Sequence, residues 1–159
     1  MKRILPYLSL ISTILVLDQV TKVLILKNIP HGTSFTVIPG FFNLTHVRNR
    51  GAIFGFMSQS GNPVIYALLT VASLAALGLV AYFFVRVPSQ DRLLRTTLAL
   101  ILGGALGNQF DRLFRGYVVD FLEVYVESFH WPSFNVADSC ISIGAVLLIY
   151  VFFLRKGPK

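Results

Sequence analysis

Charge is scarce in this chain: only 13% of its 159 residues are charged, and seven acids face fourteen Lys and Arg. With 55% hydrophobic residues and a mean hydropathy of +0.70, that scarcity excludes an ordinary soluble domain and indicates an integral membrane protein. Cysteine is limited to Cys140, which excludes an intramolecular disulfide. No Cys or His pair stands at metal-ligand spacing, so no metal or other cofactor is expected. The basic residues are dispersed, without a basic stripe interleaved with aromatics, so no nucleic-acid partner is expected. Internal repeats, low-complexity segments and a second domain are also missing, and residues 1–159 read as a single membrane domain.

What is present is a set of long apolar runs. A membrane span needs about 20 apolar residues, and four segments approach this, at roughly 4–26, 63–85, 94–114 and 136–154. The opening "MKRILPYLSLISTILVL" resembles a secretory signal, but Asp18, Gln19 and Lys22 stand where a small-residue cleavage site belongs. An uncleaved first span is therefore expected. The segment 31–60 is too polar and too rich in Gly and Pro to span. Its loose alternation at Phe35, Val37, Phe42 and Leu44 predicts a small β-sheet on one membrane face. In the connection 115–135, Phe121, Tyr125, Phe129 and Trp131 predict an interfacial helix or loop, with Trp131 as an anchor. The expected fold is mainly α: a four-transmembrane-helix bundle with a small extracytoplasmic β-sheet and an outer interfacial helix or loop.

Four spans place both termini on one side, together with Lys2, Arg3, Arg86, Arg92, Arg95, Arg155, Lys156 and Lys159. Lys22, Lys27, Arg48, Arg50, Arg112 and Arg115 fall opposite, so the positive-inside rule makes the termini cytoplasmic.

The few acids fall at one depth. From Arg3 to Asp18, Arg95 to Asp111 and Asp138 to Arg155 the separations are fifteen, sixteen and seventeen residues, roughly 22–26 Å along a helix. Upright spans then bring Asp18, Asp111 and Asp138 into one layer near the outer edge of the hydrocarbon. Asn108 precedes Asp111 by three residues and Asn135 precedes Asp138 by three, so each amide can share a helical face with its own carboxylate. Asp120 can fold back over the same layer.

Local counterions divide these acids. Asp18 has Lys22 at i+4, and Asp111 has Arg112 adjacent and Arg115 at i+4, which favours ionised, structural carboxylates. Asp120 and Asp138 have no basic residue at i±3 or i±4, which leaves two carboxylates able to share one proton and do acid–base chemistry. Plainer roles stand beside these. Asp138 could N-cap the last span, and Asp120 could be a solvated loop acid. Arg112 and Arg115 could be interfacial anchors, and Asn49 could hold a turn ahead of Gly51. "GGALG" could be a close-packing patch between helices. Cys140 is expected to be a small packing residue, because no spacing supports a Cys/His pair with His46 or His130.

Five blocks, "DQVTK", "NRGAIFG", "GNQFDR", "GYVVDF" and "FNVADS", run in this order from Asp18 to Ser139. In them the chain resembles the bacterial lipoprotein signal peptidases, the type II signal peptidases of the inner membrane. Each block alone is weak; together they are specific. The resemblance implies an aspartyl endopeptidase with Asp120 and Asp138 as its catalytic pair. It also implies supporting or substrate-binding roles for Asp18, Lys22, Asn49, Gly51, Asn108, Asp111, Arg112 and Asn135. The implied substrate is a prolipoprotein with a diacylglyceryl group on the cysteine that becomes the new N-terminus, cut just before that cysteine. Membrane lipid and lipidated precursors are the expected partners of a monomer in the inner membrane, with its site near the outer face. Two other classes fit the acid layer alone. One is a small proton-coupled carrier, although no repeat halves or midplane acid chain support it. The other is a non-catalytic assembly factor.

Overall fold

A computed structural model describes residues 4–51 and 63–154 of the chain. The distal part of the expected β-segment and the terminal basic anchors Lys2, Arg3, Arg155, Lys156 and Lys159 lie outside the described residues.

The chain runs α1 (Leu5–Asn28), β1 (Ser34–Ile38), β2 (Phe42–Asn49), α2 (Pro63–Arg86), α3 (Arg92–Phe114), β3 (Val118–Val126), β4 (Phe129–His130) and α4 (Val136–Ile149), and α4 closes in a π-helical turn over Tyr150–Leu154. The helices are inside out relative to a soluble bundle. On α1 the buried positions are Ile14, Asp18, Lys22 and Ile25, one face at helical spacing, while Val16, Leu17, Val20 and Leu24 are exposed. On α2, Val64, Leu68, Val71 and Leu79 are likewise exposed. A surface that is apolar and an interior that holds the charges suit a lipid environment.

Among the described residues three helices are long and apolar enough to cross a membrane: Leu5–Asn28, Val64–Arg86 and Val136–Phe153. The segment expected as a third span forms α3, a helix of matching length whose residues are less apolar. The reason is its position. It packs against α1, α2 and α4, and its buried face is built from Thr97, Ala99, Gly103, Gly104, Gly107, Asn108 and Asp111, which contact protein instead of lipid. The "GGALG" patch works as expected. A Cβ on Gly103 would lie 2.9 Å from Ile14 Cβ, one on Gly104 2.4 Å from the Ala137 carbonyl oxygen, and one on Gly107 2.5 Å from Asp18 Oδ2. Only glycine lets the three backbones approach so closely.

The strands form one antiparallel sheet in the order β1-β2-β3-β4. In it Val47 pairs with Asp120 and Asn49 with Val118, and β2 shifts register between Leu44 and Val47. The expected interfacial helix or loop is therefore a strand and a short return. "VVDFLEVYV" is rich in β-branched and aromatic residues, Val118, Val119, Phe121, Val124, Tyr125 and Val126, which favours a pleated strand over an amphipathic helix. Gly116, with φ of 74°, ends α3 in the left-handed conformation common after a helix and turns the chain into β3. Ile25, Val119 and Phe121 form a small apolar core between the sheet and the end of α1. A second core, around Phe84, Leu98 and Leu102, closes the other end of the bundle. The polar layer lies near the sheet end, toward the first of these cores.

Candidate active site

The acids gather into two linked groups. In the first, Lys22 of α1 lies with its Nζ 2.8 Å from Asp18 Oδ2 and 3.0 Å from Asp111 Oδ2, all three side chains fully buried. Arg115 pairs with Asp111 Oδ1 from the last turn of α3. The remaining carboxylate valences are filled by backbone: Asp18 Oδ1 accepts from the Ala137 amide at 3.0 Å, and Asp111 Oδ2 from the Val119 amide at 3.0 Å. Gln19 donates to Asp18 Oδ2, to the Gly107 carbonyl and to Asp111 Oδ1, and accepts from Arg115. Two carboxylates and two cations leave this group with no net charge, the condition under which buried ions are tolerated. Its bonds tie α1 and α3 to the first residues of β3 and α4. Asp18, Asp111 and Asp138 thus share a layer, as the depth count requires.

The second group is held by amides alone. Asp120 on β3 accepts from Asn49 Nδ2 at 2.9 Å through Oδ2 and from Asn135 Nδ2 at 2.7 Å through Oδ1. Asp138 in the first turn of α4 accepts from Asn108 Nδ2 at 2.7 Å through Oδ1. Each amide is itself oriented. Asn49 Oδ1 accepts from the Gly51 amide at 2.8 Å, so its NH2 faces Asp120. Asn135 Oδ1 accepts from the Asp138 amide at 2.9 Å. Asn108 Oδ1 accepts from Lys22 Nζ at 3.0 Å and from Asn135 Nδ2 at 3.2 Å. Asn108 thus couples the two groups.

Two expectations change here. The cap of α4 is Asn135, not Asp138; Asp138 lies three residues later, and its own amide is the one being capped. That frees its carboxylate to face α3. Nor do the amides serve the carboxylates on their own helices. Asn108 donates to Asp138 and Asn135 to Asp120, because Asp111 is already occupied by Lys22 and Arg115.

Among the described residues no cation pairs directly with Asp120 or Asp138, and both are buried. Burial, with the Asp138 charge next, pushes the Asp120 carboxyl up to about 7, against the opposing pull of the Asn49 and Asn135 hydrogen bonds and the Lys22 charge. Asp138 opens onto a cavity of about 310 Å³ that it shares with Trp131, Phe134, Ser139, Ser142 and Ile143. This is an apolar groove with a carboxylate at its edge.

Of the remaining expected residues, Gly51 is buried beside Asn49. The Arg112 side chain makes no hydrogen bond or ion pair among the described residues; its carbonyl accepts from Tyr66. Gln19 was not foreseen as a member of the cluster, and its signal was only its place beside Asp18. Arg115 was foreseen as a counterion or anchor; the structure makes it the second cation of the first group. Cys140 is half-buried.

The chain matches the family described as signal peptidase (SPase) II over residues 10–154. It is 46% identical over 145 residues to the lipoprotein signal peptidase of Burkholderia mallei (strain SAVP1), covering 91% of this chain and 86% of that protein. The lipoprotein signal peptidase of Paraburkholderia phymatum is 43% identical with the same coverage. A bacterial membrane enzyme solved by the in meso method at 2.3 Å shares the fold with a TM-score of 0.79 at 34% identity, over 97% of this chain and 93% of that one. Another, solved at 1.9 Å, gives 0.81 at 30% identity over 95% and 94%. Sequence blocks, fold and relatives agree, and this chain belongs to the signal peptidase II family.

Proposed function

We propose that the protein removes signal peptides from lipid-modified prolipoproteins by aspartyl proteolysis, with Asp120 and Asp138 as the catalytic pair. The observation that carries this reading is the contrast between the two carboxylate groups. Asp18 and Asp111 are neutralised by Lys22 and Arg115, while Asp120 and Asp138 are buried together on amide donors. At neutral pH such a pair holds one proton, which this reading assigns to Asp120, whose ionised form both burial and the Asp138 charge disfavour. Ionised Asp138 takes a proton from a water, whose oxygen attacks the carbonyl carbon preceding the lipidated cysteine. The Asp120 carboxyl donates a hydrogen bond to the developing oxyanion. When the tetrahedral intermediate collapses, the proton gained by Asp138 passes to the departing cysteine nitrogen, and the C–N bond breaks. Asn49, Gly51, Asn108 and Asn135 position the pair. Asp18, Lys22 and Asp111 hold the elements that carry it, and Arg112 serves nearby at the membrane edge.

All four helices span the membrane in this reading. α3 crosses as the central helix, shielded by the other three, which is why it tolerates its polar side. The termini lie on the cytoplasmic side of a bacterial inner membrane, the sheet and the aspartate pair lie near the outer face, and the protein acts as a monomer without a cofactor. The groove beside Asp138 opens between protein and lipid, where a precursor anchored by its acyl chains presents its scissile bond. The test is cleavage of a diacylated precursor by purified protein in the presence of a chelator. Asp120→Asn and Asp138→Asn should each insert normally and cut nothing. Full activity in either variant removes the aspartate mechanism, and cleavage of an unlipidated precursor at the same rate removes the substrate assignment.

A further inference from the structure

A second cleft, with both polar and apolar lining, opens at the far end of the bundle. Arg92, where it lies, is nineteen residues before Asp111 on α3, about 29 Å along the helix. The cleft measures about 670 Å³ and is lined by Pro6, Tyr7, Ser89, Gln90, Arg92 and Thr96. Its walls are tied together by side-chain contacts. Arg95 donates twice to the Val87 carbonyl, at 2.7 and 3.2 Å, and lies over the Tyr7 ring, which fixes the α2–α3 loop against the start of α1. The acid of this loop, Asp91, accepts from the Leu94 amide as the cap of α3. The lining is rich in donors. Among the described residues the Arg92 guanidinium, the Thr96 and Tyr7 hydroxyls and Gln90 Nε2 have no hydrogen-bond partner. Arg86, stacked on Tyr82, is a second cation at the end of α2, three residues before the lining residue Ser89.

Converging donors with an exposed guanidinium suit an anion with several acceptor oxygens, and a phosphate diester fits that description. The flanks favour an amphiphile over a small free anion. Beside the cleft, Leu5 and Leu8 of α1 and Phe83 and Val85 of α2 are exposed apolar residues. An amphiphile with an anionic head matches both the donors and the flanks. We propose that this cleft binds the phosphate headgroup of an anionic phospholipid, whose acyl chains lie along the exposed flanks of α1 and α2. The inference rests on the membrane-spanning reading but not on the chemistry of the aspartate pair.

The test uses the purified full chain in a mild non-ionic detergent, with native mass spectrometry to count bound phosphatidylglycerol and phosphatidylcholine of the same acyl composition. The wild-type chain should retain phosphatidylglycerol preferentially. Arg92→Gln should weaken that retention about fivefold, the contribution of one basic residue near an anionic lipid surface. Gln90→Ala, on the loop, provides an independent variant and should weaken it too, while Arg48→Gln, on the exposed face of the sheet, should not. All variants should cleave a precursor in detergent at the wild-type rate. Equal retention of the two lipids, an unchanged Arg92→Gln, an equal loss in Arg48→Gln, or displacement of the lipid by inorganic phosphate alone would each overturn the proposal. Resistance of the membrane-bound protein to alkaline extraction is scored first. A chain released by alkali defeats the membrane reading and this proposal with it, whereas a retained chain without lipid preference defeats only this proposal.

Discussion

Replacing Asp120 by Asn should abolish cleavage and change the stability of the fold with a sign that depends on pH. Asp120 is 2% exposed, and its carboxyl is raised from the ordinary 3.8 to about 7. A raised acid contributes its full stability below the unfolded value, and this is lost as pH climbs through the folded one. At about 1.4 kcal/mol per pH unit, the ionised folded state at pH 8 is about 4 kcal/mol less stable than it would be with an ordinary acid. Asn removes that penalty but introduces another. Both Asp120 oxygens accept from amides, and those amides are pinned by Gly51 and Asp138, so the new NH2 must face a donor at a cost of about 2 kcal/mol. The variant should therefore be about 2 kcal/mol more stable than wild type at pH 8 and about 2 kcal/mol less stable at pH 4. Unfolding followed in non-ionic detergent through Trp131, the chain's single tryptophan, measures both. The same offset at the two pH values would refute the claim that burial and the Asp138 charge raise this carboxyl.

Cleavage by wild type should decline above about pH 7 as the shared proton leaves Asp120. Asn49→Ala, which removes a bond favouring the ionised form, should move that decline to higher pH; a shift to lower pH in the rate profile would contradict this. Lys22→Met leaves Asp18 and Asp111 buried without their shared cation and should cost about 3–5 kcal/mol, read as a large fall in melting temperature or in membrane accumulation. Gly107→Ala places a methyl 2.5 Å from Asp18 Oδ2 and should cost about 1–3 kcal/mol by the same readout, whereas Gly78→Ala, inside α2 with open space around it, should not lower the melting temperature.

How much of this was legible in the sequence follows from the range of each interaction. Helices α1, α2 and α4 could be read because a long apolar run is a local property. So could the separation of Asp18 and Asp111 from Asp120 and Asp138, because a counterion at i+4 is one helical turn away; the Lys22–Asp18 and Arg115–Asp111 pairs are both of that kind. Spacing could not show that Lys22 also reaches Asp111, 89 residues on, or that Asn108 and Asn135 serve carboxylates on other elements. A helical face shows which residues can meet a neighbour, not which neighbour they meet. The strand β3 was missed for a different reason. Its aromatic residues suit a membrane interface in any conformation, and the β-branched content of "VVDFLEVYV" decides for a strand only once β2 is available as its partner.

The first turn of α4 depends on its neighbours in a way that bears on biosynthesis. One of its free amides, that of Ala137, is satisfied by Asp18, from a helix synthesised more than a hundred residues earlier. Another, that of Asp138, is satisfied by Asn135, whose NH2 is held in turn by Asp120 and Asn108. A nascent chain whose last helix has entered the bilayer but not yet docked carries every acid of the site without the frame that orients them. If the aspartate pair proposed above does the cutting, competence to cut arrives only when α4 docks against α1 and α3, and an undocked chain should be inactive.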